Sequence, residues 1–486
     1  MNELLKRFCE LQNRRQFLIG AGMGLGAMAA ASIAGRTAAA QPRQASSVER
    51  GPHHAPKAKR VIFLFMAGAP SQIDLFDPKP QLEKLHGQPL PKEISKGQRV
   101  TTMTRGRAHN VCASIFRFAP QGESGLVMSE LLPHLSTQAD KIAMIKSTYT
   151  ESINHDPGKT FFCTGSEIPG KPSMGSWLSY GLGTMNEDLP DFIVLTSAFW
   201  SGKVNVQALY TRLWGAGFLP SKHQGVALQS VGDPVLFLSN PDGVNRETRR
   251  KMLDLVGALN REEAQRSGDP EIQTALAQQE MAFRMQTSVP ELTDLGQEPE
   301  ETLEMYGPEV HKTGSFARNC LLARRMAERN VRFIQLFHRG WDHHSSLPDN
   351  LRGQARDVDQ PIAALMTDLE RRGLLDDTLI VFAGEFGRTV YGQGSIENRN
   401  VYGRDHHPRC FTTWMAGGGV KGGLSYGETD DFCYNIVRDP VHLRDLHATI
   451  LHQLGIDHER LSVPYQGLDQ KLTGVEEARV VHQILA

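Results

Sequence analysis

The chain carries almost no net charge: 53 Lys and Arg against 54 Asp and Glu leave −1. That balance excludes a bulk field for nucleic acid or anionic lipid, so no nucleic-acid partner is expected. Cysteine is scarce, with six in 486 residues, and no CxxC pair suggests a structural zinc. Cys9 lies in a segment expected to be removed, and the odd five that remain have no short repeated spacing, which argues against a full disulfide framework. No internal repeat appears. Long apolar runs are missing too. The stretch from Ile19 to Ala34 is broken by glycine and short of the roughly 20 apolar residues that span a bilayer.

That same stretch follows Asn13-Arg14-Arg15-Gln16-Phe17-Leu18 and ends near Ala38-Ala39-Ala40, the pattern of a twin-arginine export signal with an A-x-A cleavage site. The expectation is a signal peptide over 1–40, a flexible leader over 41–58 and a periplasmic or extracellular product with no stable membrane span. An N-terminal anchor is the alternative. The length suits one large or two medium domains, and 40% hydrophobic with 22% charged residues is ordinary for a globular chain.

What is present in excess is histidine, 18 residues crowded toward the last third. Apolar runs at Arg60–Met66, Ile142–Ile145, Phe192–Leu195, Phe333–Phe337, Leu379–Phe382 and Phe411–Ala416 read as buried strands. Helices are expected over Phe316–Glu328, Asp357–Arg372 and Val441–Leu454, and a charged helical insertion over about 242–330. Residues 86–125, polar and rich in Gly and Arg, read as a surface excursion. Alternating strands and helices predict an α/β fold: a three-layer α/β/α sandwich with a mostly parallel central sheet over 59–472, and a C-terminal tail over 473–486.

Several strands run straight into ligand-type residues. Phe333–Phe337 leads to Gly340-Trp341-Asp342-His343-His344, and Leu379–Phe382 leads to Gly384-Glu385-Phe386-Gly387-Arg388. Ligands in open α/β sheets sit beyond the carboxyl ends of the strands. Asp342 and His344, two apart in extended chain, face one side. With Glu385, and with Asp405 and His406 from Gly403–Pro408, they could surround one divalent cation. Imidazole with carboxylate favours zinc or manganese, with calcium also compatible. Asp74 reads either as a further ligand or as a turn cap. His155, at a strand–loop–helix junction, reads as ligand or general base, or as part of a helix start. Arg388 offers a forked donor to an anionic substrate, or a structural pair for Asp342 or Glu385.

The motifs Gly68-Ala69-Pro70-Ser71-Gln72-Ile73-Asp74, Asn154-His155-Asp156, Gly340–His344, Gly384–Thr389 and Gly403–His406 with Gly417–Gly419 resemble those of the DUF1501 family, over roughly 59–472. The family is of unknown function and is placed in the alkaline phosphatase/sulfatase-like superfamily. The resemblance implies an alkaline phosphatase-like fold with a metal cluster at the sheet edge. It also implies hydrolysis of phosphate or sulfate esters, small or polysaccharide. It carries over onto Asp342, His344 and His406, and more loosely onto Glu385. Counting back from Thr164-Gly165 by the sulfatase spacing lands on His155, with no Cys or Ser nucleophile, so water would attack directly with inversion at phosphorus or sulfur. A non-catalytic envelope protein that binds an anionic glycan through the same residues is the other reading.

Overall fold

A computed structural model describes residues 50–198, 206–229, 240, 243–268 and 270–486. The strands that build its central sheet and the site are β1 (Arg60–Ala67), β2 (Ile142–Tyr149), β3 (Phe192–Ser197), β4 (Val226–Leu228), β5 (Phe333–Arg339), β6 (Thr378–Ala383), β7 (Gly387–Gln393), β8 (Gly403–His407), β9 (Phe411–Ala416), β10 (Leu424–Tyr426) and β11 (Val441–His442). The helices that matter here are α1 (His155–Thr164), α2 (Met174–Leu182), α3 (Arg246–Ser267), α4 (Pro270–Thr293), α5 (Phe316–Glu328), α6 (Leu347–Arg371) and α7 (Leu443–Gln453).

The sheet runs β10-β2-β9-β6-β1-β5-β3-β4, with β11 also beside β2. β9 alone runs against its neighbours β6 and β2, and the other pairings are parallel. β1 is apolar along its whole length after Arg60 because both faces are covered. Its side chains alternate between them. Ile62, Leu64 and Met66 share a core with α5 and α6. Phe63 and Phe65 turn to the other side, where each ring lies 5.5 Å from Phe162 of α1. There α7 follows, with His447 Nε2 donating to the Phe162 carbonyl at 2.8 Å. The result is the expected three-layer α/β/α arrangement.

Local signals explain the helix ends. Ser315 caps α5 by accepting from Arg318 N–H, and His442 with Asp445 forms a reciprocal capping box at α7. α6 begins ten residues before the expected start. Its apolar positions Leu347, Leu351, Ala355, Val358, Ile362, Leu365 and Leu369 recur at helical spacing and are all buried, and Pro348 sits in the first turn where no N–H is needed.

Other expectations are revised. Residues 50–58, read as part of a flexible leader, are pinned: His53 N–H donates to the Gly455 carbonyl at 2.7 Å, and Ala58 N–H to the Gln453 carbonyl at 2.8 Å. The tail folds back, with Ala486 N–H bonded to the Gly419 carbonyl at 2.9 Å. The 86–125 excursion turns inward, where Thr101 and Thr104 both donate to Asp405 and His109 stacks on Tyr391. Within the 242–330 insertion, α5 and the second half of α4, through Met285, Val289 and Leu292, belong to the sheet's own covering layer, and α3 is the outer, mostly exposed helix. The expected export signal over 1–40 lies outside the described residues. Among those described, no helix is long and apolar enough to cross a membrane.

Candidate metal centre

Parallel register brings three chain segments to one edge. Ala67 at the end of β1 is level with Arg339 of β5, and Phe65 is level with Ala383 of β6. The loops that leave these strands therefore meet. Gly68 makes the contact close: its φ is +115°, and a Cβ there would lie 2.6 Å from the Asp342 nitrogen. Its N–H donates to Glu385 at 3.0 Å, which ties the β1 and β6 exits together. The N-terminus of α1 delivers His155. The antiparallel pair β7 and β8 delivers His406 opposite Arg388.

These elements converge on His155, Asp342, His344 and His406, whose ligand-type atoms all lie within 4.8 Å of one another. Asp342 Oδ1 is 3.1 Å from His155 Nε2, 2.8 Å from His344 Nε2 and 3.5 Å from His406 Nε2. The His344 and His406 Nε2 atoms stand 3.0 Å apart.

The partners of the opposite ring nitrogens fix the tautomers. His155 Nδ1 is 2.6 Å from Glu385 Oε1, His344 Nδ1 is 2.5 Å from Gln393 Oε1, and His406 Nδ1 is 2.8 Å from the Ile153 carbonyl. Each partner is an acceptor, so each Nδ1 carries the proton and each Nε2 presents a bare lone pair. Three lone pairs and one carboxylate oxygen then point into one small space. His155 Nε2 is buried without a hydrogen-bond partner, despite its distance to Asp342. Such a set repels itself unless positive charge lies between its members. An imidazole whose far nitrogen is held by a carboxylate or carbonyl is also the usual dress of a metal-ligating histidine. The donor set therefore fits a divalent cation.

Burial pushes His155 down, but the flanking carboxylates of Asp342 and Glu385 outweigh it and hold it above its usual range, so a cation bound there would displace a proton. Burial pushes Asp342 up, but the Arg388 guanidinium and the three imidazoles outweigh it and hold the carboxyl well below its usual range. Burial lowers His406 to about 4, so its neutral form prevails. Glu385, fully buried, is held below its usual range because His155 and Lys159 outweigh desolvation. Phe386 packs against both His155 and His406, with ring centroids at 4.9 and 4.8 Å.

Not every expected residue joins the quartet. Glu385, expected as a ligand, holds His155 Nδ1 and Gly68 N–H and so stands one bond behind. Asp74, also expected as a ligand, is not in the group. Its carboxylate is taken by Arg404 at 2.7 Å, Ser71 at 2.5 Å and Tyr402 at 3.4 Å, because a fully buried guanidinium requires an acceptor there. Asp405 is consumed by Thr101, Thr104 and the His406 N–H. Arg388, expected to face a substrate anion, is turned inward. Its donors go to the carbonyls of Ala69, Gly68 and Arg404 and to Asp342 Oδ1 at 2.8 Å.

Two participants carry no motif. Gln393 orients His344, and Gln207 donates to Asp342 Oδ2 at 2.9 Å. An amide in a polar loop gives no sign in the sequence that it will meet a ligand.

A family model described as "Protein of unknown function (DUF1501)" matches residues 58–485. No curated protein sequence matches the chain. Among solved structures, a member of the alkaline phosphatase superfamily from Vibrio parahaemolyticus is similar at 9% identity, with 87% of this chain and 72% of that one covered and a TM-score of 0.35. The alkaline phosphatase of the Antarctic bacterium TAB5 is 10% identical, with 83% and 99% covered and a TM-score of 0.32. A phosphonate monoester hydrolase from Silicibacter pomeroyi is 11% identical, with 88% and 76% covered and a TM-score of 0.32.

Proposed function

The chain belongs to the DUF1501 family, and from that premise we propose that it is a metal-dependent hydrolase of phosphate or sulfate esters. The observation that carries the metal is the convergence of three bare Nε2 atoms on Asp342. The ester class follows the resemblance of Gly340–His344 and Gly384–Thr389 to the DUF1501 motifs, through that family's placement in the alkaline phosphatase/sulfatase-like superfamily. Small-molecule and polysaccharide esters both fall within it. Export by the twin-arginine route, placing the protein in the periplasm or outside the cell, is part of the same proposal.

In this reading His155, Asp342, His344 and His406 hold the cation. Three nitrogens and one oxygen suit zinc first and manganese next. A divalent ion there supplies Lewis-acid polarisation and offsets the charge of an anionic ester. The chain does the rest. Glu385 keeps the proton on His155 Nδ1, Gln393 and the Ile153 carbonyl do so for His344 and His406, and each imidazole is held with Nε2 aimed at the cation position. Arg388 and Gln207 fix the Asp342 carboxylate in place rather than touching substrate. The Phe386 ring shuts water out from beneath His155 and His406.

Elemental analysis of protein purified without added metal tests the proposal. A stoichiometric divalent ion is expected, lost in His344→Ala and His406→Ala together with hydrolysis of aryl phosphate and sulfate esters. An ion-free protein that hydrolyses none of them would sink it. A bound ion without turnover would favour a glycan-binding protein instead.

A further inference from the structure

The α3–α4 hairpin contributes no residue to the quartet, yet it carries an organised surface. α3 is bracketed by an Asn245 cap, whose side chain accepts from Thr248 N–H, and by Gly268 in the left-handed region at its end. One face of α3 packs on α4. Arg246 and Arg250 each lie 4.8 Å over the Phe283 ring, Arg250 pairs with Glu280 at 2.8 Å, and Gly257 is buried. The opposite face presents Met252, Leu255, Val256 and Leu259, exposed by 49, 64, 39 and 59%. Their spacing of three, one and three residues is that of a helix-packing seam.

This seam is self-complementary. Superimpose a second, antiparallel α3 about the midpoint between Leu255 and Val256. Met252 then meets Leu259 of the second copy, and Leu255 meets its Val256. One step outward, Arg249 meets Glu262, and the two-fold axis repeats each contact. Among the described residues, neither the Arg249 nor the Glu262 side chain has an ion-pair partner within its own chain. A parallel pairing in register would instead set arginine against arginine and glutamate against glutamate.

We propose that this face binds a second copy of the chain, with the two α3 helices packed antiparallel across the seam and each α4 on the outer side. Four apolar side chains per copy are few beside the about 20–30 residues a side of a stable interface, so the dimer exchanges with monomer as concentration changes.

Sedimentation analysis of the full chain over a wide concentration range tests this. A reversible monomer–dimer equilibrium is expected. Leu255→Glu with Leu259→Glu should weaken it by about 100-fold or more, since apolar burial is replaced by buried charge. Arg249→Glu and Glu262→Arg should each weaken it by about tenfold, and the double swap should restore it. All these sites are on the surface, so unchanged circular dichroism and metal content are expected in every variant. A monomer at every concentration, a dimer indifferent to the leucine changes, or a swap that fails to recover affinity would each overturn the proposal.

Discussion

Asp74 and Arg404 are both fully buried and held together at 2.7 Å. Burial pushes the Asp74 carboxyl up, but the guanidinium charge and the bonds from Arg404 and Ser71 outweigh it and hold it low. Arg404 also donates to the carbonyls of Cys112, Thr389 and Val390, so one side chain clamps three segments behind the site. Removing one partner of such a pair strands the other in a medium that cannot solvate it. Asp74→Ala is expected to cost about 3–5 kcal/mol, measured as a fall in the urea midpoint at constant slope. A loss below about 1 kcal/mol would contradict the clamp. From sequence, Asp74 reads equally as ligand or turn cap. A carboxylate beside a strand end has both options, and the distant arginine that claims it is visible only after folding.

Elements were legible to the degree that their chemistry is local. β1, β5, β6 and β9 are buried on both faces and rich in apolar residues, so their sequences alone read as buried strands. The β7–β8 pair was not legible as strands. Gly387–Gln393 and Gly403–His407 are polar, and their burial depends on partners such as Gln72 and Asp74 elsewhere in the chain. This pair also sets the spacing of the candidate metal centre. A Cβ on Gly403 would lie 1.9 Å from the His344 carbonyl carbon. The main chain of His344 would have to move, and its Nε2 with it. Gly403→Ala is therefore expected to weaken metal binding by about tenfold or more, read by competition with a chromogenic chelator. Unaltered affinity would show that His344 is not held by this contact.

At the scale of the whole molecule, the layer of α1 and α7 gives the protein a pH-sensitive stability. His447 is fully buried between them. Burial pushes it down to about 4, aided by the nearby charges of His442 and Arg444 and opposed by its bond to the Phe162 carbonyl. The unfolded chain binds a proton near the ordinary histidine value, about 6.5, while the folded one refuses it until about 4. Between these limits the unfolded state holds more protons, so stability rises with pH. The contribution is complete above about 6.5 and is lost as the pH falls toward 4. It is worth roughly 3 kcal/mol. Urea midpoints across this window should show that slope, and His447→Gln should flatten it. An equal slope in the variant would assign the acid sensitivity to other groups.

By itself the sequence determined that the apolar segments β1, β2, β3, β5, β6 and β9 are strands, that strands alternate with helices, and that Asp342, His344 and Glu385 lie just beyond strand ends. Runs of apolar residues and their terminal polar groups are local patterns, and local patterns survive without a fold. Only the tertiary structure decided that His155 completes the quartet, that Glu385 stands behind it, and that Asp74, Asp405 and Arg388 are spent on other bonds. The reason is that a ligand is made by its surroundings. Whether an imidazole offers a lone pair or a carboxylate a free oxygen depends on which neighbours take the other side. Those neighbours come from Ile153, Gln393 and Arg404, which meet only once the chain is folded.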